Sequence, residues 1–120
     1  MKHLFLISLF ILGGLVMSQS EQQVIEVVIF KVQQGVLDEA FLQAANALMP
    51  DLTNMPGFIK RELGKDQDGS EQWVDIVYWE TLEQAQQAAQ QMMQLPSAAP
   101  FMGMIDVESM TMMHVSPSLK

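Results

Sequence analysis

Cysteine is absent from the 120 residues, and basic side chains are scarce: six lysines and arginines against fourteen aspartates and glutamates. Without thiols there are no disulfide staples, no thiolate nucleophile, no cysteine-containing zinc spacing and no lipid attachment of the lipoprotein type. Stability has to come from packing. With a formal net charge of −8 and no run of lysine or arginine, the chain has no basic stripe to displace counterions from phosphates, which excludes nucleic acid as a partner. An anionic membrane surface is disfavoured for the same reason. There is no glycine-rich phosphate loop and no Gly-x-Ser-x-Gly elbow, so nucleotide, Rossmann-type flavin and serine hydrolase chemistry lack support. No acidic run has calcium-loop spacing, and no metal site is expected.

What is present begins with MKHLFLISLFILGGLVMSQS. Lys2 supplies a basic lead, Leu4 to Val16 an uncharged apolar run, and small or polar residues follow. This is the layout of a secretory signal peptide. The run is shorter than the roughly 18 to 20 residues that span a bilayer, although retention would leave an anchor. The expectation is a signal peptide over 1–20, cut after Ser18 or Ser20, and a single domain over 21–120 that is secreted or periplasmic.

Within that domain, VIEVVIFK (24–31) is short and β-branched and reads as a strand. Leu37, Ala40, Phe41, Ala44, Ala45, Leu48 and Leu52 then mark one face of a helix over about 36–53, which Pro50 should end or kink near Met49. NMPG (54–57) is a turn. GFIKRELGK (57–65) and EQWVDIVYWE (71–80) form a hairpin around DQDG, with Gly69 free to take positive φ. Thr81 and Gln84 have capping-box spacing at the start of a second helix that shows Leu82, Ala85, Ala88, Ala89 and Met92 on one face. An irregular stretch between Pro96 and Pro100 leads to a last strand, IDVESMTMMHV (105–115). The order predicts an α+β, ferredoxin-like βαββαβ fold: a four-stranded antiparallel sheet, strand order four, one, three, two, with two helices on one face.

Alternation along the strands sorts their side chains into two sets. Ile25, Val27, Ile29, Ile59, Leu63, Val74, Ile76, Tyr78, Ile105 and Val107 are nearly all apolar, and they are expected beneath the helices. Glu26, Val28, Phe30, Phe58, Lys60, Glu62, Trp73, Asp75, Val77, Trp79, Asp106, Glu108, Met110, Met112 and His114 form a mixed set, expected on the open face. Such a face, about 400 Å² from the strand spacing, is as much apolar surface as a monomer ordinarily leaves in water. A homodimer packed sheet to sheet would cover it, with room for a ligand between.

PGFIKRELGKD, VYWETLEQAQQAA and a final strand ending in Met112, Met113, His114 and Val115 resemble the antibiotic biosynthesis monooxygenase-like proteins, over about 24–115. The resemblance implies a dimeric α/β barrel with a small-molecule pocket between sheet and helices in each subunit. Members include cofactor-independent oxygenases of polycyclic phenols and quinols, quinol-type monooxygenases and haem-degrading enzymes. The haem-degrading pattern needs an Asn on the first strand and a Trp and a His on the second helix, and this chain has none of them there.

The candidate chemistry sits on the mixed set. Carboxylates on neighbouring strands approach closely enough to raise one another's pKa, so Glu26, Asp75, Asp106 and Glu108 are candidates for acid–base work. Their plainer reading is pairing with Lys60 or Arg61 at a dimer rim. His114, the one histidine after the signal segment, suits deprotonation of a phenol; its plainer reading is an interface histidine. Glu26, Asp75 and His114 are therefore the catalytic candidates. Trp73, Trp79, Phe30 and Met112 would wall a flat aromatic ligand, and Tyr78 would donate a hydrogen bond if a bulge turned it inward. Their plainer reading is core or dimer packing. Two functions fit: an exported monooxygenase acting without a bound cofactor on a phenol or quinol, and a non-catalytic ligand-binding or protein-interaction module of the same fold.

Overall fold

The computed structural model describes residues 22–119; the segment expected as a signal peptide lies outside them. Strand β1 runs Val24–Val32. Helix α1, Asp38–Ala47, carries Asp38 and Glu39 in its first turn, where carboxylates complement the exposed N–H groups. Pro50 cannot donate to the preceding turn, so the helical path breaks at Leu48 and restarts as α2, Met49–Thr53, with the proline in its first turn. The stripe expected along this path supplies core: Phe41, Ala44, Ala45, Leu48 and Leu52 are buried, while Leu37 precedes the helix and is exposed.

The hairpin consists of β2, Phe58–Lys65, and β3, Trp73–Trp79. Thr81 Oγ1 accepts from the Gln84 N–H at 3.1 Å and starts α3, Leu82–Met92. The stretch expected to be irregular is helical instead. Pro96–Ala98 is a 3₁₀ turn and Ala99–Gly103 a short helix, α4. Each proline lies in a first turn, where its missing N–H leaves no bond unmade. Strand β4, Ile105–Val115, completes the sheet, whose order β2-β3-β1-β4 is antiparallel throughout. The fold is the expected ferredoxin-like α+β arrangement. Among the described residues no helix is long and apolar enough to cross a membrane.

The two faces of the sheet are the reverse of the expectation. On β3 the buried residues are Trp73, Asp75, Val77 and Trp79, and on β1 they are Val24, Glu26 and Phe30. On β1 and β3 the mixed set therefore lies under the helices and Ile25, Val27, Ile29, Val74, Ile76 and Tyr78 form the half-exposed outer face, while Ile105 of β4 is buried beneath the helices as expected. The reason is volume. The helices approach through Ala44, Ala45, Ala85 and Ala88, and small helix residues leave a gap that large sheet residues must fill to reach interior packing density. Trp79 and Phe30 fill it from the sheet, each with 1% exposure, and Phe41 of α1 packs beside them.

Two irregularities also re-sort the edge strands. Pairing of β2 with β3 slips between Phe58 and Lys60, so Arg61, Leu63 and Lys65, not Lys60 and Glu62, come opposite the inward residues of β3. Pairing of β1 with β4 slips between Ile29 and Lys31, where the Lys31 N–H donates to Ser109 Oγ at 2.8 Å and that hydroxyl donates to the Asp106 carbonyl at 2.6 Å. Beyond this slip, Glu108 is exposed and Asp106 half-buried beside Lys31. The expected convergence of four carboxylates reduces to two, Glu26 and Asp75.

Candidate functional site

Between the inner face of the sheet and helices α3 and α4 lies a partly open cavity with about 130 Å³ of room for the centres of water-sized molecules. Glu26, Val28 and Phe30 of β1 line it, with Asp75, Val77 and Trp79 of β3 and Met110 and Met112 of β4. From above come Ala88, Ala89, Met92 and Met93 of α3 and Phe101 and Met102 of α4. Arg61, Glu26 and Asp75 make its polar end, and nearly everything else is apolar.

The two carboxylates are in different electrostatic states. Asp75 is gripped by Arg61, the chain's sole arginine. Nε donates to Oδ1 at 2.9 Å and Nη2 to Oδ2 at 2.7 Å, while Nη1 donates to the Ala45 carbonyl at 3.1 Å and the guanidinium lies 5.1 Å from the Phe101 ring centre. A bidentate pair of this kind occupies both carboxylate oxygens. The plainer reading of the sequence had Arg61 at a rim; it is interior because the slip in β2 turns it inward.

Glu26 has no such cation. Trp79 Nε1–H donates to its Oε1 at 3.1 Å in a buried contact, and His114 Nε2 stands 3.4 Å from its Oε2. The histidine contact is at ion-pair distance but lacks hydrogen-bond alignment, so that buried ring nitrogen has no hydrogen-bond partner. Burial pushes the Glu26 carboxyl above its ordinary range; the Trp79 hydrogen bond and the nearby imidazole offset this in part, and the Asp75 charge adds to it. The result is an acid whose proton is retained to higher pH than a surface glutamate's.

Glu26, Asp75, Trp79, Phe30 and Met112 thus meet at one cavity. His114 sits behind Glu26, its cross-strand partner, rather than on the cavity wall. Trp73 is on the same face but farther along β3, against Phe41 at 4.9 Å between ring centres, and does not line the cavity. Tyr78 is on the outer face, with Lys60 Nζ 4.5 Å from its ring centre and its hydroxyl 3.4 Å from Glu62. The bulge turns Arg61 inward and leaves Tyr78 facing out.

The profile of the antibiotic biosynthesis monooxygenase family matches residues 23–95. The chain belongs to the antibiotic biosynthesis monooxygenase family. The match takes in Glu26, Arg61, Asp75 and Trp79 and stops before Met102, Met110 and Met112, which complete the cavity from the carboxyl-terminal side, and before His114. Among solved structures the chain is similar to SnoaB, a cofactor-independent oxygenase from Streptomyces nogalater, at 18% identity and a TM-score of 0.68, over 82% of this chain and 96% of that one. It is also similar to a Bordetella bronchiseptica protein classed with these monooxygenases, at 17% identity and a TM-score of 0.66, over 82% of this chain and 99% of that one. A third, from Shewanella oneidensis, has 17% identity and a TM-score of 0.61, over 81% and 92%. At these identities the likeness is one of fold. No curated protein matches the chain.

Proposed function

We propose that this family member is an exported, homodimeric monooxygenase that oxidises a phenol or quinol without a bound cofactor. The observation that carries the reading is the cavity itself, apolar on most sides with one buried carboxyl, Glu26, that no arginine or lysine grips. A phenolic ring fits the apolar walls and its hydroxyl donates to Glu26. Deprotonation by Glu26 spreads negative charge from the phenolic oxygen onto ring carbon. That carbon forms a bond to dioxygen, and the hydroperoxide loses water to leave a quinone, so one phenol and one dioxygen give one quinone and one water. In this reading His114 does not touch the substrate; it positions Glu26 and stabilises its charged form. The printed description of SnoaB as a cofactor-independent oxygenase supports the same class.

Two further parts of the proposal rest on different observations. The outer face presents Ile25, Val27, Ile29, Val74, Ile76 and Tyr78 half-exposed, with Met113 and Ile59 more than 40% exposed beside them, and a second copy would cover it. Export is supported by the amino-terminal sequence, Lys2 followed by the apolar run Leu4 to Val16.

Oxygen uptake by the purified protein with hydroquinone and para-cresol tests the chemistry. Uptake that is lost in Glu26→Gln and slowed in His114→Gln is the expected result. Equal uptake by wild type and Glu26→Gln removes Glu26 as the base, and binding without uptake leaves a ligand-binding module.

A further inference from the structure

We infer that the cavity selects an uncharged, single-ring phenol, and excludes fused-ring aromatics and phenols that bear a carboxylate. The inference rests on the cavity being the substrate site, as proposed above, and adds size and charge from separate observations.

Size comes first from the available room. Cavities of about 150 Å³ lined by aliphatic and aromatic side chains accept benzene, and the space here is about 130 Å³. One ring fills such a space, and a second fused ring would stand in the open mouth beside the exposed Met93 and Met112 or displace a wall. The aromatic end, built from both sheet and helices, has little freedom to yield. Phe30, Phe41 and Phe101 pack on one another, with Phe41 and Phe101 stacked at 5.1 Å and Phe30 edge-on to Phe101 at 6.5 Å, and Arg61 caps the group. At the other end Trp79 is held edge-on by Phe58 at 5.9 Å and by its bond to Glu26. Much of the remaining wall is methionine, whose unbranched thioether adapts in shape but still occupies volume. Met92, half-buried in the last turn of α3, is the part of this wall whose shortening would enlarge the cavity.

Charge comes from the polar end. Both Asp75 oxygens are taken by Arg61, and the guanidinium is committed to Asp75 and the Ala45 carbonyl, so neither group is free for a ligand anion. Glu26 alone remains to accept a hydrogen bond. A ligand carboxylate would enter a buried site next to two carboxyl groups with no unpaired cation among the residues that line it, at the desolvation cost that unpaired buried charges carry. One hydroxyl on an otherwise apolar ring satisfies the site.

Calorimetric titration of the wild-type protein at neutral pH with para-cresol, naphthol, anthrone and para-hydroxybenzoate tests the inference. Para-cresol should bind at least about tenfold more tightly than naphthol, the scale on which an apolar pocket discriminates small increments of size, and para-hydroxybenzoate should bind more weakly still. Met92→Ala, which removes the thioether arm, should bring naphthol level with para-cresol. Naphthol or anthrone binding as tightly as para-cresol to the wild type overturns the size assignment and leaves the proposed site standing. Para-hydroxybenzoate binding as tightly as para-cresol overturns the charge assignment. Failure of every ring to bind rejects the cavity as the site, and selective binding of para-cresol without oxygen uptake upholds the inference while rejecting the oxygenase.

Discussion

Arg61 and Asp75 form a bidentate ion pair inside the protein, with side chains only 5% and 11% exposed. The pair joins β2 to β3 and, through the Ala45 carbonyl, ties the sheet to α1. Removing one member leaves the other charged, buried and unpartnered. Arg61→Ala is expected to cost about 3–5 kcal/mol in urea unfolding. The paired change Arg61→Met with Asp75→Asn, which leaves no charge, should recover a large part of that loss. A single variant no less stable than wild type would show that the pair contributes nothing to folding.

Gly57 ends the turn before β2 with φ of +86°, and a Cβ there would overlap the Gln84 side-chain amide. Its carbonyl also accepts from the Glu80 N–H at 2.8 Å, which fixes the turn against the end of β3. Gly57→Ala therefore meets both backbone strain and a clash, and should lower stability by about 1–3 kcal/mol. Adding Gln84→Ala removes the clash and leaves the strain, so the double variant should regain only part of the loss in thermal melts. Gly69, at φ +93° in an open turn with nothing near its missing Cβ, separates the two effects: Gly69→Ala should show the strain alone.

Element order, strand order and the capping of α3 were legible because each depends on local chemistry: β-branched runs, alanine spacing, prolines, and the Thr81–Gln84 offset. Which face of the sheet meets the helices was misread, since apolar character favoured Val74 and Ile76. The signal that decides it was present in the alanines of both helices, whose small volume demands Trp79 and Phe30 opposite them. The inward turn of Arg61 and the separation of Asp106 and Glu108 from the site were not legible. Both follow from pairing slips at Phe58/Lys60 and Ile29/Lys31, and a slip depends on partner strands, not on the strand's own pattern. Glu26 and Asp75 stand out from their place on the mixed set, but their division into a carboxyl gripped by Arg61 and one without it depends on the slip in β2.

The outer face gives a prediction about assembly. Val27 and Ile76 are opposed across β1 and β3 near the centre of the half-exposed apolar surface. Ile76→Glu puts a charge there without touching the inner core, so under the proposed assembly wild type should sediment as a dimer and the folded variant as a monomer. The far-ultraviolet dichroism should be unchanged. A wild-type protein that is monomeric at micromolar concentration refutes the proposed dimer outright.

Glu26 sets the pH dependence. In the unfolded chain its carboxyl titrates near 4.5, and in the folded protein burial holds the proton to a higher pH. Between those two values folding takes up a proton, so this residue's contribution to stability is complete below 4.5, declines as pH rises through the window, and is gone above the folded value. Asp75 and His114 are the titratable neighbours that act on it, so the comparison is made in a His114→Gln background, with Asp75 kept in its pair with Arg61. There the stability of the parent, measured by urea midpoints, should fall with pH relative to Glu26→Gln, which cannot ionise; a parent that gains stability relative to that variant across the window would show that burial does not raise this pKa. The proposed reaction should have the opposite slope, because its base is the carboxylate: turnover of para-cresol by wild type should rise as Glu26 loses its proton. Trp79→Phe removes the hydrogen bond that favours the carboxylate, and should move that acid limb to higher pH in addition to costing about 1 kcal/mol of stability. An acid limb that stays in place in Trp79→Phe would mean that the rate is reporting a group other than Glu26.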